Sequence, residues 1–241
     1  MKVQISHADG EERRVVGYSD ESPTRHPSRR AALAGGAVAL ASVMIRPGRA
    51  ASGPIRLVAF GDSLTAGYGL PAQDGFTPKL QAALRAAGRD VAIANAGVSG
   101  DTSTGGADRL DWSIPDGTEG VIVELGANDM LRGVDPKVTR EAMTRILDRL
   151  GQRKIPTMVA GMKALRNLGP DYAEAFEAIY PDLASERGLV LYPFFLDGVA
   201  GDRSLNQPDG VHPNPRGVDV IVGRMLPTVE SFLDRIESKR G

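Results

Sequence analysis

Ser63, Asp209 and His212 are the side chains whose types and spacing could do acyl-transfer chemistry. Ser63 sits in Val58-Ala59-Phe60-Gly61-Asp62-Ser63-Leu64-Thr65, directly after a short, apolar, β-prone run. Gly61 lets the chain turn sharply, which places the hydroxyl at the carboxyl end of a strand, where open parallel sheets keep their sites. A serine there is either a turn and cap residue or a nucleophile, because Gly-Asp-Ser is also a common turn composition. His212 is the only histidine after His26, so any histidine-based proton transfer in the body of the chain falls on it, and a two-histidine metal site is impossible there. Alone in a proline-flanked loop it would read as a surface residue. Asp209, three positions earlier, changes that, since a turn can bring its carboxylate to Nδ1 and leave Nε2 free for a serine.

Composition sets the limits of this chemistry. The 241 residues are 24% charged and 41% hydrophobic, enough for one sizeable core. The formal charge of −1 divides unevenly: residues 1–50 carry +3 and residues 51–241 carry −4. Nothing in the body resembles a basic surface that follows phosphates, which argues against nucleic acid as a partner. The chain has no cysteine, which excludes disulfides, thiolate chemistry and zinc–thiolate sites. No metal or other cofactor is expected.

Residues 1–50 read as a leader. A polar, proline-containing stretch precedes Arg29-Arg30, an apolar core over 31–45 and a small-residue exit at Ala50-Ala51. That order is the pattern of an export signal, too short for a comfortable membrane span, and it resembles a twin-arginine signal although Ala32 stands where a bulkier apolar residue is usual. The expected location is periplasmic, with no stable membrane span in the mature form. A membrane anchor or a disordered cytoplasmic tail are the competing readings.

Residues 51–241 form the expected single domain, alternating strand and helix five times. Strands are expected at 55–60, 91–94, 121–125, 156–160 and 189–192. Helices are expected at Phe76–Ala87, near Gly105–Leu110, over Val138–Leu150 with a Glu141–Arg145 pair, and along Tyr172–Leu183 with a kink or restart at Pro181. A last helix is capped by Asn214, opened by Pro215 and divided at Pro227. The pattern predicts an α/β protein, a three-layer α/β/α sandwich on a five-stranded parallel sheet.

With these elements placed, the polar loops fall into a known order. The body, over about 55–238, resembles the SGNH hydrolases, also called GDSL lipases and esterases. Its nearest likeness there is to bacterial multifunctional esterases active as acyl-CoA thioesterase and lysophospholipase, and to related arylesterases. Gly61-Asp62-Ser63-Leu64-Thr65 matches the nucleophile block, and Asn95–Ser103 the block whose glycine is Gly100. Leu125–Arg132 matches the Gly-x-Asn-Asp block, with Ala127 replacing a common glycine, and Asp209–Pro213 the Asp-x-x-His block. The resemblance implies a flavodoxin-like fold and a serine esterase with the triad Ser63, His212 and Asp209. It implies an oxyanion hole from the Ser63 and Gly100 N–H groups and the Asn128 amide, acting on small-molecule or lipid esters. Asp62 and Asp101 are expected to fix turns by accepting backbone N–H groups, and Glu124, odd in an apolar strand, to support the site from behind. Tyr68, Met130, Leu131, Leu165 and Leu168 either line an acyl pocket or belong to the core. The sequence leaves oligomeric state and acyl-chain preference open.

Other classes compete. A flavodoxin-like binding module would need a phosphate-cradling glycine loop, whereas Gly61-Asp62-Ser63 is short and acidic. A noncatalytic polysaccharide-binding relative has no use for Ser63, Asn128 and His212 together. A carbohydrate O-deacetylase would use the same residues and differ only in substrate.

Overall fold

The computed structural model describes residues 53–240. The expected export signal, its arginine pair and its expected cleavage point lie outside the described residues. Five parallel strands form one sheet: β1 (Ile55–Gly61), β2 (Val91–Gly97), β3 (Gly120–Glu124), β4 (Thr157–Ala160) and β5 (Val190–Tyr192). Their order is β2-β1-β3-β4-β5, the doubly wound order with its switch point between β1 and β3. The helices are α1 (Ser63–Ala66), α2 (Phe76–Ala86), α3 (Ser103–Ser113), α4 (Ala127–Leu131), α5 (Pro136–Gln152), α6 (Pro170–Glu177), α7 (Ile179–Arg187) and α8 (Pro215–Arg240). α2 packs with α8, and α3 and α7 pack on α5, so the expected three-layer fold is present.

The central strand reads Gly-Val-Ile-Val-Glu and is buried throughout, as a parallel strand covered on both faces must be. α8 closes the sheet with Val218, Ile221, Val222, Met225, Val229, Phe232, Leu233 and Ile236, all buried. Register brings the strand ends level: Gly61 pairs with both Gly97 and Glu124. Ser63, Gly100 and Asn128 follow the ends of β1, β2 and β3, whereas Asp209 and His212 come from the loop before α8. Gly97 is needed as glycine because a Cβ there would overlap the Ala66 backbone, which sits directly on the end of β2.

Several local expectations are corrected. α8 is continuous through Pro227. That residue lies on the exposed face, as does Gly223, whose carbonyl loses its helical donor. The break along Tyr172–Leu183 falls at Ala178, between α6 and α7, which leaves Pro181 in the first turn of α7 where its missing N–H costs little. β2 extends to Gly97 because Asn95 and Ala96 continue the ladder with β1. Arg145 pairs with Asp108 of α3 rather than with Glu141 on its own helix. Among the described residues no helix is long and apolar enough to cross a membrane.

Candidate active site

Ser63 opens α1 at the end of β1 and is 9% exposed. Asp62 caps that turn, its Oδ1 accepting from the Leu64 N–H at 3.0 Å. Asn95 at the end of β2 holds the same turn, donating from Nδ2 to the Thr65 carbonyl at 3.1 Å. The second part of the site is a loop closed on itself. The Gln207 N–H donates to the His212 carbonyl at 2.7 Å, and Gln207 Nε2 donates to the carbonyls of Pro213 (3.0 Å) and Tyr68 (2.7 Å). Asn214 caps α8 through its Oδ1, which accepts from the N–H groups of Arg216 and Gly217. The histidine loop is thereby fastened both to α8 and to the loop after Ser63.

Across this junction His212 Nε2 lies 2.9 Å from Ser63 Oγ, and His212 Nδ1 lies 2.7 Å from Asp209 Oδ2. A carboxylate can only accept, so Nδ1 carries the proton and Nε2 offers its lone pair to the serine hydroxyl. Asp209 Oδ1 accepts from the N–H groups of Val211 and His212, both at 3.0 Å. Partial burial pulls the Asp209 pKa upward, but the hydrogen bonds from His212 and Val211 and the facing imidazole outweigh it and leave the pKa below its ordinary value. The Tyr68 ring covers the imidazole at 4.6 Å between centroids.

Asn128 stands on α4 after β3, across the switch point from Ser63. Gly126 turns the chain there with φ +115°, and a Cβ would run into the Tyr180 hydroxyl, which donates to the Leu125 carbonyl at 3.1 Å. Gly100 follows β2, and its carbonyl accepts from Arg132 Nη2 at 2.7 Å. Ser63, Leu64, Tyr68, Gly100, Asn128, Leu131, Val211 and His212 are among the residues lining one cleft of about 350 Å³.

A GDSL-like lipase/acylhydrolase family model matches residues 59–220. The chain belongs to that family. It is 34% identical over 178 residues to the esterase TesA of Pseudomonas aeruginosa, covering 73% of this chain and 89% of that one. It is 35% identical over 161 residues to an arylesterase of Vibrio mimicus, covering 66% and 80%. Among solved structures, the SGNH-hydrolase family esterase AlinE4 is 45% identical, covers 74% of this chain and 96% of its own, and superposes with a TM-score of 0.63. As a member of the family, the chain is a carboxylic ester hydrolase.

The GDSL serine rests on a buried acid pair. Asp62 is 0% exposed and its Oδ2 accepts from Asn128 Nδ2 at 3.1 Å. Glu124 lies behind it, 1% exposed, with Oε2 accepting from Thr65 Oγ1 (2.8 Å) and the Asp62 N–H (3.4 Å), while Oε1 has no partner. Burial, followed by the charge of Asp62, pushes the Glu124 carboxyl well above its ordinary pKa. Burial also raises Asp62, to about 6, against the lowering hydrogen bonds from Leu64 and Asn128. Burial thus pushes both carboxyls upward, and each accepts from two donors: Asp62 from the Leu64 N–H and Asn128, Glu124 from Thr65 and the Asp62 N–H.

Other expected site residues are placed differently. Asp101 does not accept backbone N–H groups to fix its turn; its Oδ2 grips Arg109 Nε at 2.6 Å. Tyr68 and Leu131 line the cleft. Met130, at 6% exposure, belongs to the core, Leu168 packs against the core, and Leu165, between β4 and α6 in the chain, is exposed; none of the three is among the residues lining the cleft.

Arg109 is the residue that sequence reasoning missed. From α3 it donates to the carbonyls of Gly61 (2.8 Å) and Ala96 (2.9 Å), which are the ends of β1 and β2, and lies 4.2 Å over the Phe60 ring. Arg109→Met is expected to destabilise the fold by about 3 kcal/mol, because it strands a shielded carboxylate and two strand-end carbonyls. A urea midpoint shifted with unchanged slope would show it. Asp129 was also missed as a support: it accepts from the Ser103 N–H at 2.8 Å and from Thr139 Oγ1 at 3.1 Å, tying α4 to α3 and α5.

Proposed function

We propose that this chain is a serine esterase that works through an acyl-enzyme on Ser63. The observation that carries the reading is the continuous relay from Ser63 Oγ through His212 to Asp209, opening into the cleft that Gly100 and Asn128 line. His212 Nε2 takes the hydroxyl proton as Ser63 Oγ bonds to the ester carbonyl carbon, and Asp209 stabilises the imidazolium. The Ser63 N–H, which has no intrahelical acceptor at the first position of α1, shares the oxyanion with the Gly100 N–H and the Asn128 amide. His212 then gives its proton to the departing alcohol. Water attacks the acyl-enzyme by the same path and releases the acid.

The substrate class follows from the walls. Leu64, Tyr68, Leu131 and Val211 make the cleft apolar, and its volume is at the low end for small-molecule sites. Aryl and alkyl esters of short acyl chains fit this better than palmitate or an acetylated sugar. The decisive experiment is a fluorophosphonate label, expected once and on Ser63, beside a panel of p-nitrophenyl esters from acetate to palmitate, acetylated sugars and a lysophospholipid. Preference for sugar acetates would make the chain a carbohydrate O-deacetylase, and labelling at another serine would remove Ser63 from the mechanism.

Asn128→Ala is expected to lower kcat by roughly 10²–10³ with a folded protein, the cost of one lost oxyanion donor. A loss confined to KM would make Asn128 a substrate-binding residue instead.

A further inference from the structure

The Asn128 amide has two hydrogens, and the structure accounts for one of them: it is donated to Asp62 Oδ2 at 3.1 Å. That single bond fixes the rotation of the amide about its last torsion, which for Asn is broad and otherwise weakly held. It also fixes which end faces Asp62, because a carboxylate accepts from NH₂ and repels the amide oxygen. With one hydrogen on Asp62, the second is left for the half-buried side of the residue, beside the cleft. Asp62 cannot move to follow a different amide. Its other oxygen is held by the Leu64 N–H, it is fully buried, and its own N–H rests on Glu124, which is also held by Thr65.

We propose that Asp62 is a positioning residue of the oxyanion hole: its carboxylate orients the Asn128 amide, and Glu124, at the end of the central strand, holds Asp62 in place through its backbone N–H. The proposal rests on the assignment of Asn128 as an oxyanion donor. It gives the aspartate of the nucleophile block a task separate from capping the serine turn. It also explains a carboxyl group in the central strand, where an apolar residue would pack with no desolvation cost.

The arrangement has a direction in pH. Asp62 is faced by the Leu64 N–H from α1, by Asn128 from α4 and by Glu124 from β3. His212 and Asp101 act on it through their charges, and Arg109 binds the neighbouring Gly61 carbonyl. Above about pH 6 the carboxylate accepts from Asn128. Below it, the added proton removes the negative charge and weakens the hold of the carboxyl on its two donors. The Leu64 N–H is fixed by the backbone of α1; the Asn128 amide is the one free to turn.

The test is a cycle in the full chain with p-nitrophenyl acetate. Asp62→Asn is expected to lower kcat about 10–50-fold with KM little changed, and Asp62→Asn/Asn128→Ala is expected to be no slower than Asn128→Ala alone. Losses that multiply, or an Asp62→Asn enzyme as fast as the parent, would overturn the proposal. A second measurement follows the amide itself, with Asp62 in place. The Asn128 side-chain NH₂ resonance, assigned by its disappearance in Asn128→Ala, should shift between pH 5 and 7.5. A resonance that does not move, or one that moves equally in Asp62→Asn because it senses only His212, would overturn it as well. Fluorophosphonate labelling keeps the two readings apart: a label on Ser63 together with a failed cycle rejects the role of Asp62 alone, while a label elsewhere rejects the esterase mechanism itself.

Discussion

Ser63→Ala and His212→Ala are each expected to lower kcat by about 10⁶, and the double variant to be scarcely slower than either, because the residues of the proposed triad would act as one unit. The geometry gives the reason. Ser63 Oγ has His212 Nε2 at 2.9 Å as the base for its proton. Without the imidazole, attack must produce either a free alkoxide or a proton passed to water. Without the hydroxyl, no acyl-enzyme can form and the imidazole has no nucleophile of the chain to activate. Either removal leaves the same residual machine, the oxyanion donors and the cleft, so removing both has nothing further to take away. Single-turnover rates with p-nitrophenyl acetate, with circular dichroism as the control for folding, would measure this. Rates that fall multiplicatively would mean that Ser63 and His212 serve different steps, and the relay seen in the structure would not be the path of the proton.

The parts of this site that were legible in the sequence are those that depend on local spacing. His212 and Asp209 are three residues apart in one turn, and a short-range constraint brings carboxylate and imidazole together. The strands were legible because full burial demands apolar runs, and β3 shows one with a single acid in it. Arg109 was not legible. Besides Asp101, eight residues away, it holds Gly61, 48 residues away, and Ala96, 13 away, which accept through carbonyls that every residue possesses. Gln207 likewise acts on Tyr68, 139 residues earlier, through the backbone. Side-chain-to-carbonyl ties of this kind leave no trace in composition or periodicity, so the loops they fasten were foreseen while the fasteners were not. Pro227 failed for a different reason. A helix-breaking residue was given its average cost, whereas on the exposed face of a helix packed along both halves the cost is small.

Asp209→Asn is expected to lower kcat by about 10⁴, less than the loss of Ser63 or His212 but more than a missing hydrogen bond would suggest. Asp209 Oδ1 accepts from two backbone N–H groups, at Val211 and His212, so an amide at this position will keep its oxygen there and turn its NH₂ toward the imidazole. A donor facing Nδ1 forces that nitrogen to accept, which moves the ring proton to Nε2 and points it at Ser63 Oγ. The base is then present, correctly placed and in the wrong tautomer. Asp209→Ala should be the milder change, by about tenfold relative to Asp209→Asn. The side chain of Asp209 is 38% exposed, so water can enter, accept from Nδ1–H and restore the productive tautomer. A wrongly held tautomer and a merely unsupported ring thus give opposite orders for the two variants. If Asp209→Ala proves slower than Asp209→Asn, the carboxylate's task is to hold the loop through Val211 and His212 rather than to set the proton on the ring.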